Sequence, residues 1–235
     1  MRESYNQQDT EVSPSEMAVQ TRPSRSTLKA IQVHPVMPSV IERLIVKNHY
    51  LHSMPAAPRL CFGVYLGGEL LGALVFTSGP RHGYRLLAAA KPQQVSVLAR
   101  VWLSDDLPPN SESRVVGYCL RWIRKHRMWK LLLSYADPAA HHLGTIYQAG
   151  GWMYLGRTQP GSAVIVSGKR LHSRTCSNRY GTSSLRRLGA VGISALRAKE
   201  PGKHKYVYLL DPQWKWRLRG KALPYPKTEA TTDAS

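Results

Sequence analysis

Residues Leu131 to Gly156, LLLSYADPAAHHLGTIYQAGGWMYLG, constrain the fold most, because they read as strand, loop, helix and strand in one stretch. Leu131, Leu132 and Leu133 form the apolar run of a buried strand. The run ends in Ser134, Tyr135, Ala136 and Asp137, and Pro138 lacks the N–H that a central strand needs to continue. Gly144 to Ala149 has helical character, and Gly150-Gly151 stops it where φ is free to turn positive. Trp152 to Leu155 resumes an extended, aromatic pattern. In open α/β sheets, ligands bind beyond the carboxyl ends of strands, so Ser134, Asp137 and Tyr147 are placed near a site.

A chain of 235 residues supports one sizeable domain with an appendage. No apolar run approaches the roughly 18 to 20 residues that cross a bilayer, and the start, MRESYNQQDTEVSPSE, has no secretory pattern, so no membrane partner is expected. Cys61, Cys119 and Cys176 are widely spaced and read as reduced thiols of a cytoplasmic protein. The net charge of +19 favours a polyanionic partner. The excess is concentrated: between Arg157 and Lys227 stand 16 lysines or arginines against Glu200 and Asp211.

Residues 1–30, rich in Ser, Gln, Thr and Glu, bury too little to offset the entropy of ordering and read as a flexible tail. Val40 to Val46 has helical periodicity and leads into Asn48-His49-Tyr50-Leu51-His52, with Pro55 and Pro58 expected to end the helix. Leu60 to Val64 and Leu70 to Phe76 flank Gly67-Gly68 as a hairpin. Arg81 to Lys91 reads as a basic loop and Val95 to Leu103 as the next strand. Arg100 lies in that apolar run, so it either reaches solvent or serves a polar site. Val115 to Arg124 is an amphipathic helix with Asn110 or Ser111 as its N-cap and Glu112 in its first turn. The amides of such a helix start can hold an anion, although capping alone explains these residues equally well. Ser162 to Val166 and Lys203 to Leu210 read as strands, and Leu185 to Leu188 as a helix exposing Arg186 and Arg187. Trp214-Lys215-Trp216-Arg217-Leu218-Arg219 interleaves rings that stack on bases with cations that meet phosphates, or else is an edge strand with solvated cations.

Together, NHYLH at 48–52, LARVWLSDDLPPNSESRVVGYCLR at 98–121, SYADP at 134–138, GTIYQAGGWMYLG at 144–156, KHKYVYLL and LPYPK resemble the phage Mom-type DNA modification proteins, within the GNAT acetyltransferase superfamily. These pieces span most of residues 48–227. The resemblance implies an α/β (α+β) fold with a GNAT-like mixed central sheet flanked by helices. It implies a catalytic core at 31–160, a basic extension at 161–227 that completes the sheet and binds DNA, and a tail at 228–235. The activity it implies is that of a transferase adding a methylcarbamoyl (acetamido) group to the exocyclic amine of adenine in double-stranded phage DNA. That modification protects the DNA from restriction in the cytoplasm of the infected host. A homodimer is left open.

Acetyl-CoA is the donor the fold suggests, but the phosphate loop of ordinary acetyltransferases is Gly-rich, and here Pro109 to Gly117 keeps only the last glycine. A glycine-derived donor such as a charged tRNA suits the basic surface. His49, His52 and Asp137, with Tyr50, offer an N/O metal site, iron included, should the chemistry be radical or Lewis-acid. The amine of adenine is a poor nucleophile hidden in the duplex, so base flipping or local melting must expose it, and it must be oriented and deprotonated. Asp137 is assigned to contact the base or accept its proton, and Tyr147 to donate to a leaving group or oxyanion. His49 and Tyr50 are alternative acid-base groups. Arg100, Ser134, Asn110, Ser111 and Ser113 are assigned to the donor, and Arg186, Arg187, Lys215, Arg217 and Arg219 to DNA. A noncatalytic DNA-binding protein on the same scaffold and an ordinary acetyltransferase stay open as alternatives.

Overall fold

The computed structural model describes residues 30–227, so the tails expected at 1–30 and 228–235 fall outside the described residues, Ala30 excepted. Seven strands form the main sheet: β1 (Gln32–Val36), β2 (Pro58–Leu66), β3 (Glu69–Ser78), β4 (Val95–Leu103), β5 (Leu131–Ala136), β6 (Met153–Arg157) and β10 (His204–Leu209). Their order is β1-β2-β3-β4-β5-β10-β6, and only β4 and β5 run parallel. The expected hairpin is β2–β3. Leu66 pairs with Glu69 across Gly67 (φ 59°) and Gly68 (φ 85°), a two-residue turn of the handedness that matches strand twist. The crossover joining the parallel pair is helix α2 (Ser111–Lys125), as a parallel connection requires.

Both faces of this sheet are covered, which explains why Leu131, Leu132 and Leu133 are all fully buried without alternation. One face carries Phe62, Val64, Leu74, Phe76, Leu132 and Tyr206 against the Val115, Cys119 and Ile123 stripe of α2. The opposite face of β2–β3 packs Cys61, Ala73 and Val75 on Ile41 and Ile45 of helix α1 (Pro38–Asn48). Next to it, Leu131, Leu133, Val95, Val97 and Val207 are roofed by the segment at Tyr84–Leu87 and by Trp214 and Leu218. The basic stretch from Arg81 to Lys91 is therefore not only loop; it holds a 3-10 turn at Gly83–Leu86 and buries Leu87. The three cysteines are free and buried. Among the described residues no helix is long and apolar enough to cross a membrane.

Several local expectations are corrected. Helix α1 ends at Asn48, well before Pro55, because His49 turns to extended backbone (φ −75°, ψ 136°). Neither Asn110 nor Ser111 caps α2 through its side chain. Asn110 is left-handed (φ 67°) rather than extended, so its amide does not reach the first-turn N–H groups, and Ser111 Oγ donates back to the Pro108 carbonyl. The segment at 214–219 is no edge strand. Asp211 accepts from Gln213 N–H at 3.1 Å and starts a 3-10 turn over Pro212–Arg217.

The largest differences are in pairing. Helix α3 (Thr145–Ala149) lies between β5 and β6 as expected, yet those strands are not neighbours, because β10 sits between them, antiparallel to both. Residues 161–200 build a second sheet, β8-β7-β9, from β7 (Gly161–Val166), β8 (Lys169–His172) and β9 (Ala195–Glu200). Helices α4 (Ser173–Tyr180) and α5 (Leu185–Ala190) close it around a core of its own, Val164, Val166, Cys176 and Leu188. Of the stretch 161–227, only β10 enters the main sheet as a named strand.

Candidate active site

The parallel strands β4 and β5 pair only from Val95–Leu98 to Leu131–Ser134. Beyond that point each stays bonded to its outer neighbour, β4 to β3 and β5 to β10, while the two separate from one another. Ser134 closes the last pair, its Oγ donating to the Leu98 carbonyl at 2.9 Å. The separation opens a cleft of about 530 Å³ lined by Leu98, Ala99, Trp102, Tyr135, Asp137, His142 and Tyr147, with His49 and Tyr50 facing them from the end of α1.

All four residues expected to act in chemistry, His49, Tyr50, Asp137 and Tyr147, line this one cleft. His49 is 5% exposed, and its Nδ1 accepts from Leu51 N–H at 3.1 Å, which leaves the proton of the neutral ring on Nε2. Burial, helped by the charge of Arg100 and by His142 and His52, lowers its pKa to about 4, so the ring is neutral at physiological pH. Tyr50 stacks on His49 at 4.5 Å and lies tilted against His142 at 5.2 Å. Burial and then Asp137 raise the pKa of its hydroxyl, against an opposing pull from Arg100. Tyr147 is 8% exposed, and burial pushes its hydroxyl up to about 12. All three are therefore neutral and can donate hydrogen bonds at neutral pH.

Asp137 is the acceptor. Its Oδ1 takes the Ala139 N–H at 3.0 Å, capping the turn Pro138–Ala140, and its Oδ2 meets Lys203 Nζ at 3.0 Å. Burial alone would raise its pKa, but Lys203, the Ala139 N–H and Arg170 outweigh it and hold the carboxyl below its usual value. Asp137 is thus a fixed anion rather than a strong base.

The donor-side expectations are met less well. Arg100 is spent on the protein itself, its Nε donating to the Ser53 carbonyl at 3.1 Å and Nη1 to the Ala99 carbonyl at 2.8 Å, which braces the loop after α1. Ser134 is fully buried under the split, and Asn110, Ser111 and Ser113 are not on the cleft wall. Ser113 Oγ bonds the Asn110 carbonyl at 3.2 Å. His52 turns its Nδ1 to the Val46 carbonyl at 3.2 Å, outside the cleft. Among the described residues no three His, Cys, Asp or Glu side chains converge as metal ligands, so His49, His52 and Asp137 do not form a set. The DNA candidates fall on two bodies. Arg186 and Arg187 are exposed on α5 of the small sheet, while Lys215, Arg217 and Arg219 follow β10 at its other end. Arg217 lies between the rings of Trp214 (4.6 Å) and Trp216 (4.5 Å).

Cleft residues with no sequence-based site assignment include Glu112, His141, His142 and Thr145. His141 and His142 follow the strand-end loop directly, and that position was the available signal. Glu112 bears on the donor. A pyrophosphate cradle needs free amides at the start of α2. Pro108 and Pro109 have none, the Ser111 N–H is bonded to the Pro108 carbonyl at 3.2 Å, and Glu112 brings its own carboxylate into the cleft from the first turn. This helix start therefore offers coenzyme A fewer free amides than a Gly-rich loop does, with a carboxylate beside them.

The Mom protein family model matches residues 30–227. A curated relative, methylcarbamoylase mom of Escherichia phage Mu, is 28% identical over 197 residues, covering 79% of this chain and 75% of that protein. Solved structures with a similar chain path include spermidine N-acetyltransferase from Vibrio cholerae, at 7% identity and TM-score 0.46 over 77% of this chain and 96% of that one. A GNAT family acetyltransferase from Streptococcus pneumoniae matches at 8% identity and TM-score 0.43, over 76% and 98%.

Proposed function

The chain belongs to the Mom protein family, and on that premise we propose that it is a DNA-modifying transferase that places a methylcarbamoyl group on the exocyclic amine of adenine, shielding phage DNA from host restriction. The observation that carries this reading is the convergence of His49, Tyr50, Asp137 and Tyr147 in one cleft at the β4–β5 split. The group transferred is the one for which the phage Mu relative, a methylcarbamoylase, is named.

The cleft supplies two carboxylates, Asp137 and Glu112, and several neutral donors, a pattern that suits an amine attacking a polar donor group. Asp137 accepts a hydrogen bond from the amine, orients its lone pair, and offsets the positive charge that grows on nitrogen as the new bond forms. Its low pKa assigns it to orientation and charge rather than to final custody of the proton, which leaves with the departing group of the donor. Tyr147, Tyr50 and the Nε2–H of His49 donate to the oxygen or leaving group of the donor. A cleft of this volume, reached from the sheet end, admits one base extruded from the duplex.

Nucleoside mass spectrometry of DNA from cells expressing the protein tests the reading. A modified adenosine absent from control cells is expected, and unmodified DNA would overturn it. The donor is read as a glycine-derived species, such as a charged tRNA, rather than acetyl-CoA. Titration calorimetry with acetyl-CoA should accordingly show no saturable heat, and a tight stoichiometric complex would return coenzyme A to the cleft.

A further inference from the structure

Two short crossings join the small sheet to the main one: residues 158–160, between β6 and β7, and residues 201–203, between β9 and β10. They are locked together. Thr158 N–H donates to the Lys203 carbonyl at 2.9 Å, and Lys203 N–H donates to Thr158 Oγ1 at 2.9 Å. Gly202 packs so closely that a Cβ on it would lie 1.8 Å from the Thr158 carbonyl oxygen, an overlap only glycine avoids. The backbone of residue 203 therefore has little freedom.

Its position relative to the cleft follows from register. His204 pairs with Ala136 in the antiparallel β10–β5 ladder, so one step outward Lys203 stands opposite Asp137. The pair closes at 3.0 Å, with the carboxylate side chain 13% exposed and the ammonium side chain 37% exposed. With Oδ1 on the Ala139 N–H and Oδ2 on Lys203, the plane of the carboxylate is set from two sides.

We propose that Lys203 is a positioning residue for the transfer reaction: anchored where the small sheet joins the main one, it clamps the Asp137 carboxylate in the orientation the adenine amine requires. The inference rests on the reading of the cleft as the transfer site. It goes beyond an ordinary surface ion pair, which is worth little, because the lysine is fixed by its backbone and its partner is a cleft residue. It also links the seating of the small sheet, which carries exposed Arg186 and Arg187, to the geometry of the acceptor.

The charged and titratable groups facing Asp137 are Lys203 from the β9–β10 crossing, Arg170 from β8 and Tyr50 from the end of α1. Arg170 is itself paired with Glu200. Removing Lys203 leaves burial opposed by the Ala139 N–H and the more distant Arg170, so the carboxyl pKa rises.

The test compares full-length Lys203→Met and Lys203→Arg with the parent. Carboxyl-carbon NMR titration, with the Asp137 signal assigned by its loss in Asp137→Asn, should show the Met variant titrating at higher pH and the Arg variant close to the parent. Modified adenosine in cellular DNA should fall on the order of a hundredfold in Lys203→Met, the scale of a misplaced reacting group, and be largely restored in Lys203→Arg. Parent-level modification in Lys203→Met overturns the proposal, whether or not the titration moves, and so does an unmoved titration. If Lys203→Met does not fold, Lys203→Gln is read by the same two measurements. Failure of the functional reading is seen separately, as absence of modified adenosine with the parent protein; Lys203 then has no transfer to serve, and the proposal falls with it.

Discussion

Asp137→Asn is expected to leave a folded, DNA-binding protein that makes no detectable modified adenosine, a loss on the order of a hundredfold or more. The substitution keeps the shape and the oxygen that accepts the Ala139 N–H, and asparagine caps turns about as well as aspartate. It removes the charge that faces Lys203 and the cleft. Because that lysine is more than a third exposed, the lost ion pair costs little in stability. A cost of about 1 kcal/mol would lower the melting temperature of a chain this size by roughly 2–4 °C. Thermal melting and a DNA-binding isotherm check the fold, and nucleoside mass spectrometry checks the chemistry. Parent levels of modified adenosine from this variant would reduce Asp137 to the cap of the Pro138–Ala140 turn.

DNA affinity should fall on the order of a thousandfold between 50 and 200 mM salt, as expected when about six or more phosphates are engaged. The source is the basic stretch from Arg157 to Lys227, with 16 cations against two acids. Replacing Arg186 and Arg187 by alanine should weaken binding to all sequences alike and flatten the salt slope by roughly two units, about one for each phosphate no longer neutralised. Both side chains are exposed on α5, so the melting temperature should hardly change. Arg217 is different, being stacked between two tryptophans, and its removal should disturb the Pro212–Arg217 turn as well. Fluorescence anisotropy across a salt series decides the matter: an affinity indifferent to salt would rule out binding through the phosphates.

What the chain reveals without its structure is what neighbouring residues decide among themselves. Apolar runs and alternation mark β2, β3, β4 and β5; a Gly-Gly pair that takes positive φ makes the β2–β3 turn; and the stripe of Val115, Cys119 and Ile123 marks α2. Composition alone concentrates positive charge in the last third. The four residues of the cleft were legible because each stands in or at the end of such an element: His49 and Tyr50 after α1, Asp137 after β5, and Tyr147 inside α3. The family resemblance grouped them, but local pattern could not show their convergence, since it depends on where β4 and β5 stop pairing, and that is set by long-range hydrogen bonds to β3 and β10. The same holds for the insertion of β10 between β5 and β6 and for the separate sheet of β7, β8 and β9. Strands carry no mark of which partner, dozens of residues away, will satisfy their backbone groups. The tertiary structure likewise spent polar side chains that looked available: Ser134 closes the strand split, Ser111 and Ser113 bond their own loop, and Arg100 braces the turn after α1. Lys203 moved the other way, from one cation among many to the partner of Asp137, because only the β5–β10 register sets residue 203 opposite residue 137.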